Sequence, residues 1–258
     1  MSLAGARCGA ALAGLLFGLA ATAAAQQTKV PWTSGENLEY TVRLSGLAAG
    51  SGEMQVPGFD SIRGHTAWRL HFHIKGSVLG LYHVDDSYDS WMDVESLHSL
   101  RFEQRLYEGG KHTDRYYDIF PGRGIFHQEG KEEKASVAEP LDDASFFFFV
   151  RTLQLKPGAE YRFDRYFDPK ANPVVIKVLR RDTIDVPAGR FAAIVVQPSF
   201  NTSGLFSQNG HAELWLSDDD RRILLRMDTH FAGITLGLQL KKISSSVPAP
   251  GSTAGKKN

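Results

Sequence analysis

Between Leu38 and Leu240 apolar and polar residues alternate with a period of two. Leu38, Tyr40, Val42 and Leu44 are interleaved with Glu39, Thr41, Arg43 and Ser45, and Trp68, Leu70, Phe72 and Ile74 with Arg69, His71, His73 and Lys75. Similar runs lie at 102–107, 116–120, 161–166, 174–179, 191–196, 212–216, 223–228 and 234–240. Because successive side chains of a strand point to opposite faces, this period predicts strands with one face in a core and one in water. Short turn signals separate the runs: EGGK at 108–111, FPGRG at 120–124, VPAG at 186–189 and SDDDRR at 217–222. The expected fold is mainly β, with antiparallel curved sheets or a half-barrel, one or two fused. No internal repeat of fixed period is evident.

One stretch breaks the alternation. DDASFFFFVRTLQLKPG, residues 142–158, opens on an acid suited to cap a helix and has no turn residue before Pro157-Gly158. Phe146, Phe149, Val150 and Leu153 share one helical face, while Phe147 and Phe148 fall off it. The pattern predicts one central helix near 142–155, apolar nearly all round and therefore buried on several sides. It divides the β-rich region into halves at about 36–140 and 156–243.

The ends read differently. Arg7, an apolar run from about Ala10 to Ala21, and Ala23-Ala24-Ala25 before Gln26 have the order of a secretory signal peptide, assigned to 1–25. The expected location is periplasmic or exported. The apolar run is shorter than the roughly 20 residues of a membrane span, and no transmembrane span is expected after cleavage. Cys8 precedes the apolar run, so cleavage leaves a chain without cysteine, whose stability must come from packing. Residues 26–35 read as a polar lead-in and 244–258, rich in Ser, Pro, Gly and Ala, as a disordered tail. With 29 Lys+Arg against 29 Asp+Glu, no cationic excess points to nucleic acid.

Four landmarks stand in order: GENLEYTVRLSGLAAGSGEMQV (35–56), PLDDASFFFFVRTLQLKPG (140–158), DTIDVPAGRFAAIVVQPSF (182–200) and ELWLSDDDRRILLRM (213–227). Together they resemble the DUF3108 family of exported bacterial proteins of unknown function. The shared features are Glu39-Tyr40, the Leu47-Ala48-Ala49-Gly50 turn, the Asp-led helix, PAG-x-F and W-L-S-x-D. The Phe tetrad departs from that pattern, where smaller aliphatic residues are usual. The resemblance spans nearly all of 35–243 and implies a half-barrel similar to periplasmic lipoprotein and lipid carriers, an analogy of fold rather than of site.

Candidate chemistry is sparse. His71 and His73 point the same way from one strand, and His-x-His can chelate a transition metal, with His83, Asp85 or Asp86 as a third ligand. Arg69 and Lys75 on the same face favour a solvated surface instead, and no metal is assigned. Asp218, Asp219 and Asp220 lack the alternate spacing of a calcium loop. There is no G-x-S-x-G elbow and no H-E-x-x-H, and GSTAGKK in the tail has the wrong spacing for a phosphate loop. No catalytic residue and no cofactor are assigned. A metal-dependent enzyme using His71 and His73 is the most distant of three readings.

The first reading is a non-catalytic envelope protein that binds a hydrophobic ligand, a lipid or acyl chain. GSVLGLYHV (76–84) and SGLFSQNG (203–210) set apolar residues among glycines, so Leu79, Leu81, Tyr82, Leu205 and Phe206 are expected to rim an opening. Phe146, Phe147, Phe148 and Phe149 are expected to line it. The second reading, in which the tetrad only fills the core, is a structural or adaptor module that binds another envelope protein.

Overall fold

The computed structural model describes residues 28–78, 82–201, 211–231 and 234–245. The first half carries β1 (Glu36–Leu44), β2 (Leu47–Ile62), β3 (His65–Val78), β4 (Tyr82–Asp93), β5 (Ser99–Glu108), β6 (Lys111–Phe120), β7 (Ile125–Gln128) and β8 (Glu133–Ala135). After the helix α1 (Asp143–Arg151) come β9 (Glu160–Phe163), β10 (Val174–Val186), β11 (Gly189–Ser199), β12 (His211–Ser217), β13 (Leu224–Phe231) and β14 (Ile234–Ser245). All fourteen strands form one antiparallel sheet in the order β8-β7-β6-β5-β4-β3-β2-β1-β14-β13-β12-β11-β10-β9. The sheet is open, with β8 and β9 at its edges, and the two halves join where β1 pairs with β14.

Hairpin geometry follows from local sequence. Ser45-Gly46 and Arg63-Gly64 both take positive φ at two successive residues, the pairing that twists in the same sense as the strands it joins. Gly50 serves a different need: a Cβ there would lie 2.0 Å from the Lys75 carbonyl oxygen, so only glycine lets β2 approach β3 this closely.

The helix is shorter than its sequence suggests. Asp142 caps it, its carboxylate accepting from the Ala144 and Ser145 amides at 3.0 and 2.9 Å while Ser145 Oγ accepts from the Asp142 amide. It ends at Thr152 rather than near 155, because the Thr152 amide and hydroxyl both turn back to the Phe149 carbonyl.

Successive residues of a helix point about 100° apart, so four in a row cover the whole circumference. Phe146 meets Phe200 after β11 at 4.8 Å, Phe147 meets Phe72 of β3 at 5.6 Å, Phe148 meets Trp32 at 5.4 Å and Phe149 meets Phe163 of β9 at 5.4 Å. The helix also packs on β4, nine steps from β9 in strand order. A flat sheet would set those strands roughly 43 Å apart at 4.8 Å per step. One helix of about 14 Å length touches both, so the sheet curls around it. The tetrad is thus the hub of an enclosed core. Trp32 belongs to that core at 3% exposed, so the segment before β1 is an anchored piece of the fold and more than a polar lead-in.

The structure also contains a repeat that the sequence conceals: β1–β6 and β9–β14 run in the same order and register. Gly35 and Gly158 each donate an amide bond to a neighbouring strand, to Val56 and Val178. Asp60 accepts from the Ser61 amide and the Trp91 indole, and Asp182 accepts from the Thr183 amide and the Trp215 indole. Trp91 faces Arg101, Trp215 faces Arg226, and a bulge follows each tryptophan. The matching residues lie 122 to 125 positions apart. The chain is a tandem of two equivalent six-strand units joined head to tail, with β7, β8 and α1 between them.

Candidate functional site

Beside the tetrad, Leu141, Phe146, Phe149, Phe163, Tyr166, Val174 and Phe200 enclose about 10 Å³. That is room for about one water molecule and far below the several hundred Å³ of a small-molecule site. Of the four rings expected to line a ligand cavity, each is at most 7% exposed, and among the described residues they spend their faces on protein. Of the expected rim, Leu79, Leu81, Leu205 and Phe206 lie outside the described residues, and Tyr82 is described only through its backbone at the start of β4.

The outer face of β3 and β4 carries the histidines. Asp89 accepts from His71 at 3.0 Å, from Arg69 at 3.3 Å and from Arg105 at 3.1 Å, and Asp85 is shared by His73 at 2.7 Å and Lys75 at 3.0 Å. Burial pushes the Asp89 carboxyl up, but bonds and charge from His71 and Arg69 outweigh it and hold it below the usual carboxylate range. The proposed third ligand Asp86 turns to the opposite face, where it accepts from the Tyr107 amide. The pair thus sits in cross-strand hydrogen bonds to carboxylates, and among the described residues no three His, Cys, Asp or Glu side chains are placed to hold a metal. In the 217–222 turn, Asp219 accepts from Ser217 Oγ and from the Arg221 and Arg222 amides, and Asp218 pairs with Arg181 and Arg222. These acids build a turn.

Open space lies on the surface. One groove of about 560 Å³, on the outer face of β5–β7, is lined by Arg101, Glu103, Tyr116, Asp118, His127 and Glu129. Its charges are largely satisfied: Asp118 binds Arg63 and Arg101, and Glu103 binds Arg105.

A second groove, of about 490 Å³, lies where the segment 28–34 crosses β2 and β3, and its apolar lining is Val30, Trp32, Phe59 and Trp68. Phe59 is 53% exposed, among the most exposed large apolar side chains of the described fold, and its ring lies 4.2 Å from that of Trp68. Trp68 in turn meets Trp32 edge to face at 6.2 Å. Both indole N–H groups are buried and have no hydrogen-bond partner among the described residues. Each such orphan costs about 1–3 kcal/mol, and the repeat shows that the fold does not need them. The second unit has Leu155, Arg181 and Ile194 where the first has Trp32, Phe59 and Trp68. Sequence reasoning passed over this cluster because Trp32 sits in a segment without periodicity and Phe59 in a strand rich in glycine and proline.

The model of the family described as "protein of unknown function (DUF3108)" matches residues 39–237. The chain belongs to the DUF3108 family. Among the curated proteins none matches it. Among solved structures, the DUF3108 chain is similar to a β-barrel-like protein of the domain of unknown function DUF1849 from Brucella abortus. That likeness has 9% identity and a TM-score of 0.56, covering 82% of this chain and 98% of the other. It shows a shared fold. Weaker likenesses are to a "putative lipoprotein" from Parabacteroides distasonis (12% identity, TM-score 0.38, 85% and 100% covered) and to a "putative exported protein" from Bacteroides fragilis (10%, 0.33, 84% and 98%). At those scores they carry no argument here. No helix among the described residues of the DUF3108 fold is long and apolar enough to cross a membrane.

Proposed function

We propose that this DUF3108 protein is exported and non-catalytic, and that it binds an apolar ligand in the surface groove of Trp32, Phe59 and Trp68. The observation that carries the reading is the half-exposed Phe59 ring against Trp68, itself edge to face with Trp32, two tryptophans whose buried N–H groups have no acceptor among the described residues. Buried polar groups are nearly always paired, and exceptions concentrate where function tolerates the cost. Export is supported by the leader-like residues 1–25. Among the described residues the space beside the tetrad is about 10 Å³, which favours a ligand on the surface over one in the sheet's interior.

Titration of the full chain with a saturated acyl chain, followed by tryptophan fluorescence and native mass spectrometry, tests this. The intact protein is expected to take up one chain, and Phe59→Ser to lose affinity at least about fivefold, the scale of one lost apolar contact. Absence of uptake, or equal uptake by the variant, overturns the reading. A partner protein inserting an apolar side chain would use the same rings; competition between partner and acyl chain identifies that case.

A further inference from the structure

The aromatic groove has a polar side as well as a greasy one, and the polar side is one-signed. Beyond its apolar residues the lining consists of Thr28, Lys29, Thr33 and Ser34; it contains no Asp and no Glu. Lys29 is exposed and, like most of the described lysines, makes no ion pair among the described residues, where only Lys75 and Lys242 are paired with acids. Asp60, next to Phe59 in sequence, points to the other face of β2 and is spent on the Trp91 indole. The Thr28 hydroxyl donates to the Glu95 carbonyl, which fixes the start of the segment against the loop after β4. The groove lining therefore offers the Thr33 and Ser34 hydroxyls and one positive charge, and holds no competing carboxylate.

We propose that the groove takes an amphiphile with an anionic head, the chain lying along Phe59 and Trp68 and the head set against Lys29. This rests on the groove being the binding site and adds the head chemistry. A neutral alcohol would satisfy the apolar wall and leave the ammonium unmatched; a cationic head would be repelled by it. A carboxylate and a phosphate monoester share the chemistry that fits.

The test uses the full chain and four probes with one saturated chain and different heads: carboxylate, phosphate monoester, primary alcohol and quaternary ammonium. Tryptophan fluorescence is read at low and high salt, with native mass spectrometry for stoichiometry. An exposed ion pair is worth about a two- to fivefold change in affinity. Both anionic probes are expected to bind about that much more tightly than the alcohol at low salt, the advantage shrinking at high salt as charge is screened. Lys29→Glu is expected to cancel or reverse the order of the anionic probes and the alcohol. Preference for only one of the two anions supports the proposal and names the head. Equal binding of all four heads by both proteins overturns the anionic head and leaves the groove standing. Failure of every probe to bind overturns both.

Discussion

Arg151, the last residue of the helix, is the joint most open to attack. Its side chain is 1% exposed. The guanidinium donates to both Glu36 carboxylate oxygens at 2.7 and 3.1 Å, to the Arg221 carbonyl at 3.1 Å and to the Pro31 carbonyl at 3.1 Å. It also lies 5.7 Å from the centre of the Trp32 ring and 5.5 Å from that of Phe148. One side chain thus ties the helix to β1, to the segment before it and to the turn between β12 and β13. In Arg151→Met the stem still packs on the rings, but Glu36, only 11% exposed, loses its partner. Breaking a buried pair from one side costs about 3–5 kcal/mol. For a chain this size that lowers Tm by about 6–20 °C. Adding Glu36→Gln removes the stranded charge, so the double variant should recover at least about 1 kcal/mol. Urea unfolding followed by tryptophan fluorescence measures all four proteins of the cycle. A loss below about 1 kcal/mol in Arg151→Met, or no recovery on adding Glu36→Gln, would show that the clamp does not hold the helix.

Two further outcomes follow from the core. Burial pushes the Asp142 carboxyl up to about 6 despite its bonds from Ser145, Ser90 and Ser99, so the folded state holds this proton where the unfolded chain, near 3.8, has released it. Stability from this group is full below about pH 4 and is lost as pH rises through about 6, a change of about 3 kcal/mol. Asp142→Asn keeps a capping oxygen and lacks the proton, so its unfolding free energy should stay flatter than the parent's between pH 4.5 and 7; parallel curves would refute the assignment. Phe148, 1% exposed against Trp32, should cost about 3–5 kcal/mol when cut to alanine, read by the same urea titration.

What the sequence made legible was the alternation and its breaks. The strands around Leu38–Leu44 and Trp68–Ile74 are visible because the buried face is wholly apolar, and the helix because Asp142 and the Phe run announce it. β4 escaped because its inward face includes Asp86 and Ser90, which are buried. Ser90 donates to the capping Asp142, so polar residues there serve the helix and erase the period. β2 escaped because Gly50, Gly52, Pro57 and Gly58 read as turns, although close strand approach at Gly50 demands the missing side chain. The repeat was hidden for a related reason. Only scattered residues such as Asp60 and Asp182 or Trp91 and Trp215 persist, and the hairpin after Asp182 runs two residue pairs longer than the one after Asp60, which slips the spacing. The aromatic groove needed coordinates, since Trp32, Phe59 and Trp68 meet only after three segments cross.

Head-to-tail joining has an implication for how long such a sheet can grow. β1 offers its edge to β14, and by equivalence β9 carries the same kind of edge and β6 the complement of it. Units that join by unlike edges have no intrinsic reason to stop at a pair and would extend as an open spiral. Here the row is terminated at both flanks: β7 occupies β6 and hands on to the three-residue, wholly exposed β8, and β9 is only four residues long where β1 has nine. Leu141 bridges to Tyr166 just beyond it. The linker between the units, strands and helix together, is what makes this protein finite.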